Sequence, residues 1–317
     1  MTDKDNGYIF VVDTTVNQIM TTTAGCGDKC SEYNTYNMPE STTNVNMTEQ
    51  FVMNIPGGHS AKGLTVKDQV CTLESLVCVD NIEFFAIVEG TGDDKKWTYA
   101  NVFGLAPRDT KKAPAYIEAL KNIGAIKHRK ATLFLNAEST IDLYENKYSI
   151  MSFGSDTKDF DEFVKGDWNE HKWEMTKDDK YSEKIATLSL KSIALDDKTL
   201  LNKDAKVAIA STMYPAILLG KGHKSTWDAY TDKIKKQFDK VECITKNKKS
   251  ICQIPSTKCE DDKNLKLPNF TLKIDDVYYT MPSLAMRKTI SSSNSDDACM
   301  FSVEYDEESS EDVIFLG

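Results

Sequence analysis

The chain has 317 residues, of which 40% are hydrophobic and 28% charged, and it carries a formal net charge of −10. That length is enough for two separate cores, and the acidic balance argues against a nucleic-acid-binding protein, whose affinity rests on concentrated Lys and Arg. No run approaches the ~18 apolar residues of a membrane-spanning helix, and Met1 to Asn6 lacks the basic start and apolar core of a signal peptide.

Strand-like runs, rich in β-branched and aromatic residues, recur along the chain at Tyr8 to Val12, Glu49 to Ile55, Asn81 to Glu89, Ala131 to Asn136 and Lys147 to Phe153. They continue at Lys184 to Ile193, Lys206 to Ile209, Phe270 to Ile274 and Val313 to Leu316. Helical spacing is confined to two pieces. Ala113 to Ile123 places Tyr116, Ile117, Leu120 and Ile123 on one side, and Ser225 to Val241 gathers Trp227, Tyr230, Ile234, Phe238 and Val241 after a Ser N-cap. Both stripes read as core. The acidic stretch Asp156 to Asp179 reads as a surface insertion with loosely packed aromatics. The Lys-rich stretch Lys233 to Lys249 is interleaved with Asp232, Asp239 and Glu242 and reads as a solvated face.

Two segments look like copies of one motif. The first, Phe10-Val11-Val12-Asp13-Thr14-Thr15, is an apolar run ending in an acid and two hydroxyls. The second, Lys206-Val207-Ala208-Ile209-Ala210-Ser211-Thr212, repeats it with a methyl group in the acid's place. Each is followed much later by an apolar pair and a glycine: Val102-Phe103-Gly104 and Phe315-Leu316-Gly317.

This pattern resembles the pepsin-like aspartic proteases, in which two Asp-Thr-Gly triplets, one per lobe, meet at the floor of a cleft. Gly57-Gly58-His59-Ser60-Ala61-Lys62-Gly63 with Asp68-Gln69-Val70 is similar to the family's flap hairpin and the strand after it, and Phe103-Gly104-Leu105-Ala106 to its Gly-Leu-Ala stretch. Tyr116 to Ile126 resembles the helix before the lobe crossover, and Ala131-Thr132-Leu133-Phe134-Leu135 the strand that follows. Leu267-Pro268-Asn269-Phe270-Thr271-Leu272 with Val277-Tyr278-Tyr279 resembles a second-lobe segment. The resemblance covers nearly the whole chain. It implies a mostly β, bilobed pepsin-like fold of two β-barrel-like lobes with a few short helices. An N-terminal lobe over 1–138 would carry Asp13-Thr14-Thr15 and the flap, and a C-terminal lobe over 139–317 would carry Ala210-Ser211-Thr212. Family members usually have a strand before the one leading into the first triplet and strands after the second apolar-apolar-Gly motif, which implies either a truncated chain, or other segments or a partner in those places.

The eight cysteines fall into four sequence-local sets and are read as four disulfides: Cys26 with Cys30, Cys71 with Cys78, Cys243 with Cys252, and Cys259 with Cys299. The resemblance supplies a small bridged loop after the first triplet and a late second-lobe bridge for the first and last; the other two would each staple a hairpin. Disulfides imply an oxidising compartment, hence secretion or a vesicular lumen. The sequons Asn46-Met47-Thr48 and Asn269-Phe270-Thr271 agree with glycosylation there. His59, His128, His171 and His223 are scattered singly, with no Cys-x-x-Cys or His-Glu-x-x-His, so neither a metal nor another cofactor is expected.

In the family the two acids share a proton: the ionised one activates a water while the protonated one polarises the peptide carbonyl. Here Asp13 holds one dyad position and Ala210 the other. Thr15 and Thr212 replace the triplet glycines, and Pro56 falls where the flap carries a tyrosine, so its hydroxyl is missing. Thr14, Ser211, Gly57 and His59 complete the expected lining; His59 is a pH-sensing candidate, though an exposed loop is the plainer reading. Asp13 would then be a buried acid held by the hydroxyls of Thr14, Thr15, Ser211 and Thr212. With several elements altered together, the expectation is a secreted, non-catalytic homologue that binds a peptide or protein through its cleft or surface, with no nucleic acid or membrane as partner. The alternative is an aspartic endopeptidase, weakly active or inactivated by an engineered Asp to Ala change at 210.

Overall fold

The computed structural model describes residues 10–30, 35–38, 41–55, 59–72, 77–91, 101–106, 108, 114–134, 150–156, 158, 161, 168–182, 184–196, 198–201, 204–209, 216–246, 248–259, 267–281, 286–292, 295–310 and 312–317. Among these residues, twenty strands accompany two α-helices, a mostly β architecture. The chain divides into two compact units, Met1–Asn54 with His59–Trp168, and Ile55–Gly58 with Asn169–Gly317. The expected lobe boundary at 138/139 falls outside the described residues.

In the first unit, β1 (Phe10–Asp13), β2 (Met20–Thr22), β3 (Val45–Ile55), β4 (His59–Cys71), β5 (Cys78–Gly90) and β6 (Asn101–Gly104) form one sheet in the order β1-β6-β2-β5-β4-β3. Helix α1 (Tyr116–Asn122) and the hairpin of β7 (Ala131–Phe134) and β8 (Ile150–Phe153) follow. Phe103 on β6 gathers Phe10, Tyr116 and Phe153 around itself at ring separations of 6.0, 5.4 and 5.7 Å. Packing of Phe153 on this cluster explains why β8 belongs with the first unit. The buried face of α1 is Tyr116, Ala119 and Leu120, not the expected row that ends at Ile123. Ile123 caps the helix C-terminus and is 54% exposed, because the helix stops one residue short of carrying it into the core.

The second unit begins with β9 (Glu174–Thr176), β10 (Ile185–Leu195), β11 (Lys198–Leu201), β12 (Ala205–Ile209) and β13 (Ile217–Gly220). Helix α2 (Lys224–Gln237) comes next, followed by β14 (Glu242–Lys246), β15 (Lys249–Pro255), β16 (Phe270–Ile274), β17 (Val277–Met281), β18 (Arg287–Ser292), β19 (Ser295–Asp306) and β20 (Val313–Leu316). All these strands join one sheet around a core that includes Leu190, Ile193, Phe270, Phe301 and Ile314. Helix α2 buries Trp227, Tyr230 and Ile234 against it, with Phe238 and Val241 packed alongside. The expected Ser225 N-cap is not the cap. A 3-10 turn over Lys221–His223 runs directly into the helix, so Ser225 lies inside the first turn and His223 takes the cap position.

The two sequence copies have the same topology. In the first unit β6 pairs parallel with β1 and antiparallel with β2, and β2 pairs parallel with β5. In the second, β20 pairs parallel with β12 and antiparallel with β13, and β13 pairs parallel with β19. A late strand is therefore inserted between two early ones, and the chain linking the early pair must pass close to its end. At Gly104 a Cβ would stand 2.4 Å from the Gln18 carbonyl oxygen, 2.5 Å from that of Val16 and 2.6 Å from the Gln18 nitrogen. Backbone atoms cannot swing aside as a side-chain tip can. Gly104→Ala is therefore expected to destabilise the protein by about 3 kcal/mol, measured as a lower denaturant midpoint; an unchanged midpoint would show that this crossing is looser than described.

Candidate functional site

Strand β1 carries the chain through Phe10, Val11 and Val12 to Asp13, which pairs with Gly104 at the end of the β1–β6 ladder. The Leu105 N–H donates to the Asp13 carbonyl at 2.7 Å and the Ala106 N–H to the Val16 carbonyl at 2.9 Å, so the Gly-Leu-Ala stretch clamps both sides of the turn. Asp13 is 4% exposed. Its Oδ1 accepts from the Thr15 N–H at 2.7 Å and from the Thr15 hydroxyl at 2.6 Å. The first is an Asx turn, in which a short side-chain carboxyl oxygen takes the place of a backbone acceptor. Of the hydroxyls expected around Asp13, Thr15 supplies this contact and is itself buried, while Thr14 is half-buried.

The remaining candidates are distributed as follows. Strand β12 ends at Ile209, one residue before Ala210; Ala210, Ser211 and Thr212 lie outside the described residues, as do Pro56 and Gly57. His59, expected in a loop, is the first residue of β4. Asn46 lies within β3, and Asn269 is exposed immediately before β16. All eight cysteines are paired as expected. Cys71 and Cys78 face each other across β4 and β5, and Cys243 and Cys252 across β14 and β15, each closing a hairpin. No helix of the described residues is long and apolar enough to cross a membrane.

Strand β4 is held by a group that sequence reasoning noted only as part of a motif. Asp68 on β4 is 1% exposed. Its Oδ2 accepts from the Tyr36 and Ser41 hydroxyls, each at 2.6 Å, and its Oδ1 from the Gln69 N–H at 2.7 Å and from the Thr43 hydroxyl. Burial alone would push this carboxyl's pKa up; the donors from Ser41, Thr43, Tyr36 and Gln69 outweigh burial and hold it below its ordinary value. Burial, then the bond to Asp68, pushes the Tyr36 hydroxyl up. Tyr36 also packs edge-on against Phe84 at 5.1 Å. Nearby, the Gln18 amide, in the segment after Asp13, contacts the Met53 sulfur of β3 at 3.3 Å. The segments after Asp13 and before β3 are thus both tied to the β3–β4 pair.

In the second unit, His171 bridges Asp275, 2.8 Å from Nδ1, and the Tyr279 hydroxyl, 2.6 Å from Nε2. This tethers the part of the expected insertion that forms β9, while Trp173 in the same unit stays 41% exposed and Trp168, the last residue of the first unit, 44%. A cavity of about 290 Å3 is lined by Lys206, His223, Glu174 and Asp312 among others, and none of the expected site residues among the described residues contributes to it.

Each unit thus carries the same strand arrangement, β1–β6 in the first and β12–β20 in the second, and in the first an acid stands at its end. The sequence model of the eukaryotic aspartyl proteases matches residues 5–317. The chain belongs to that family. No curated protein sequence matches it significantly.

The Asp68 network has a pH signature. A carboxyl whose pKa is lower folded than unfolded contributes stability above its unfolded value, which is lost as pH falls through the folded value. Asp68→Asn is expected to cost about 2 kcal/mol at neutral pH, by weakening charge-assisted bonds and misplacing two amide hydrogens. The gap from the unaltered protein should narrow below about pH 4, as read by denaturant melts across pH. A gap that is constant with pH would show that the Asp68 charge does not stabilise the fold.

Proposed function

We propose that this aspartyl protease homologue is a secreted protein that binds a peptide or protein without hydrolysing it. The observation that carries the reading is the residue at position 210: Ala210 stands where the second triplet would carry its acid, so that copy supplies no carboxyl group. Peptide hydrolysis by this route needs one carboxylate to take a proton from water while another gives a proton to the carbonyl oxygen. A methyl group does neither. Loss of one general acid or base costs about 10²–10⁴-fold in rate, and a cooperative pair loses more.

Other features point the same way. The triplet glycines are Thr15 and Thr212, and Pro56 at the flap tyrosine's place has no hydroxyl. Thr15 is turned to Asp13 and donates to it twice, which suits a carboxylate retained for the integrity of its turn. Four disulfides suit an oxidising compartment. The exposed Phe51 and Val52 on β3, 39% and 50% accessible, offer apolar surface beside the hairpin for an extended peptide.

The purified chain is expected to leave acid-denatured haemoglobin and unfolded casein intact from about pH 2 to 7, the range spanned by dyad titrations. It should still retain members of a peptide library on an affinity column. Cleavage that a transition-state mimic blocks and Asp13→Asn abolishes would overturn the non-catalytic reading in favour of a peptidase. Ala210→Asp separates the causes: turnover gained by this change alone would show that the remaining replacements are compatible with catalysis.

A further inference from the structure

Strand β16 alternates strictly. Phe270, Leu272 and Ile274 are 0–3% exposed and face the core, while Thr271 and Lys273 face outward. On its partner β17, Tyr278 and Thr280 are exposed and stand opposite Lys273 and Thr271. The Thr271 and Thr280 hydroxyls lie 3.1 Å apart, and the Lys273 ammonium stands 5.4 Å above the Tyr278 ring. Asn269 is two residues before Thr271, so the period of 2 puts its side chain on this outward face. Its backbone is fixed there from both directions: the Asn269 N–H donates to the Asp196 carboxylate at 2.9 Å, and the Asp196 N–H donates to the Asn269 carbonyl at 2.9 Å. Proline 268 and Phe270 on either side are buried. The acceptor amide and the hydroxyl two residues later are thus presented together, on an extended segment, to solvent.

We propose that Asn269 carries an N-linked oligosaccharide, and that this glycan shields the outward face of the β16–β17 hairpin. The inference rests on the reading of the chain as a secreted protein. The Asn269 Nδ2 displaces the diphosphate of a polyprenyl-diphosphate-linked oligosaccharide: the nitrogen–anomeric carbon bond forms, the carbon–oxygen bond to diphosphate breaks, the amide gives up one proton, and the polyprenyl diphosphate leaves. No oxidant or reductant takes part. Shielding follows from the spacing. Tyr278 is 66% exposed, more than any other large hydrophobic side chain among the described residues. It stands opposite Lys273, and four residues of strand at about 3.3 Å each put Asn269 roughly 13 Å from that level, within reach of a branched oligosaccharide lying along the face.

The test uses the full chain secreted from a eukaryotic host behind a heterologous leader. Amide-cleaving deglycosylation in heavy-oxygen water should convert Asn269 to labelled Asp in the peptide spanning 267–281. The modification should be absent from Asn269→Gln and Thr271→Ala and retained in Thr271→Ser, all three being secreted. Nitration of Tyr278 by tetranitromethane should be several-fold slower in the glycosylated protein than after native deglycosylation. Secreted, disulfide-bonded protein with Asn269 unmodified would overturn the assignment while leaving the reading of the chain as secreted intact. Modification with equal nitration rates would overturn the shielding. Localisation of the native protein inside cells in a reducing compartment would instead overturn the reading on which the inference rests.

Discussion

A strand that ends against the loop linking its two neighbours has no room for a side chain at its tip, and the first unit is organised around that restriction. Strand β6 lies between β1 and β2, and the segment from Thr14 to Ile19 that links them crosses Gly104 so closely that the carbonyls of Val16 and Gln18 occupy the space a Cβ would need. The same crossing puts Asp13 opposite Gly104 and brings Leu105 and Ala106 into hydrogen bonds with the turn. The position of the acid is therefore a consequence of backbone packing. It is kept whether or not the acid has chemistry to perform, because the turn's own donors from Thr15 are satisfied by it.

The second unit repeats the arrangement in β12, β20, β13 and β19, yet position 210 carries alanine. Duplication of a fold element and duplication of a catalytic group are separable. The first is enforced by the sheet: parallel and antiparallel neighbours on both sides of β20 leave its register little freedom. The second depends on one side chain that no ladder bond requires.

Much of the fold was legible because it is written in local periods. Phe270 to Ile274 and Val313 to Leu316 form strands with the boundaries read from alternation and apolar run, and the stripe of Trp227, Tyr230 and Ile234 is the buried face of α2. Short elements were not legible. Strand β2 has three residues, all buried; a run that short carries no period, and it is a strand only because a neighbour pairs with it on each side. The helix starts failed for a related reason: Ser225 has the chemistry of a cap, but the preceding 3-10 turn had already begun the helix.

Local sequence by itself determined the alternation of the longer strands, the order of motifs that marks an aspartyl protease, the cysteine sets, and the absence of an acid at 210. Each of these is a property of neighbouring residues or of residue identity. Only the tertiary structure decided which distant polar groups meet. Asp68 finds Tyr36 and Ser41, 32 and 27 residues away, and His171 finds Asp275 and Tyr279 more than a hundred residues later. Such partnerships are set by sheet register and by the burial that makes an unpaired polar group costly, and neither quantity exists until the strands have come together.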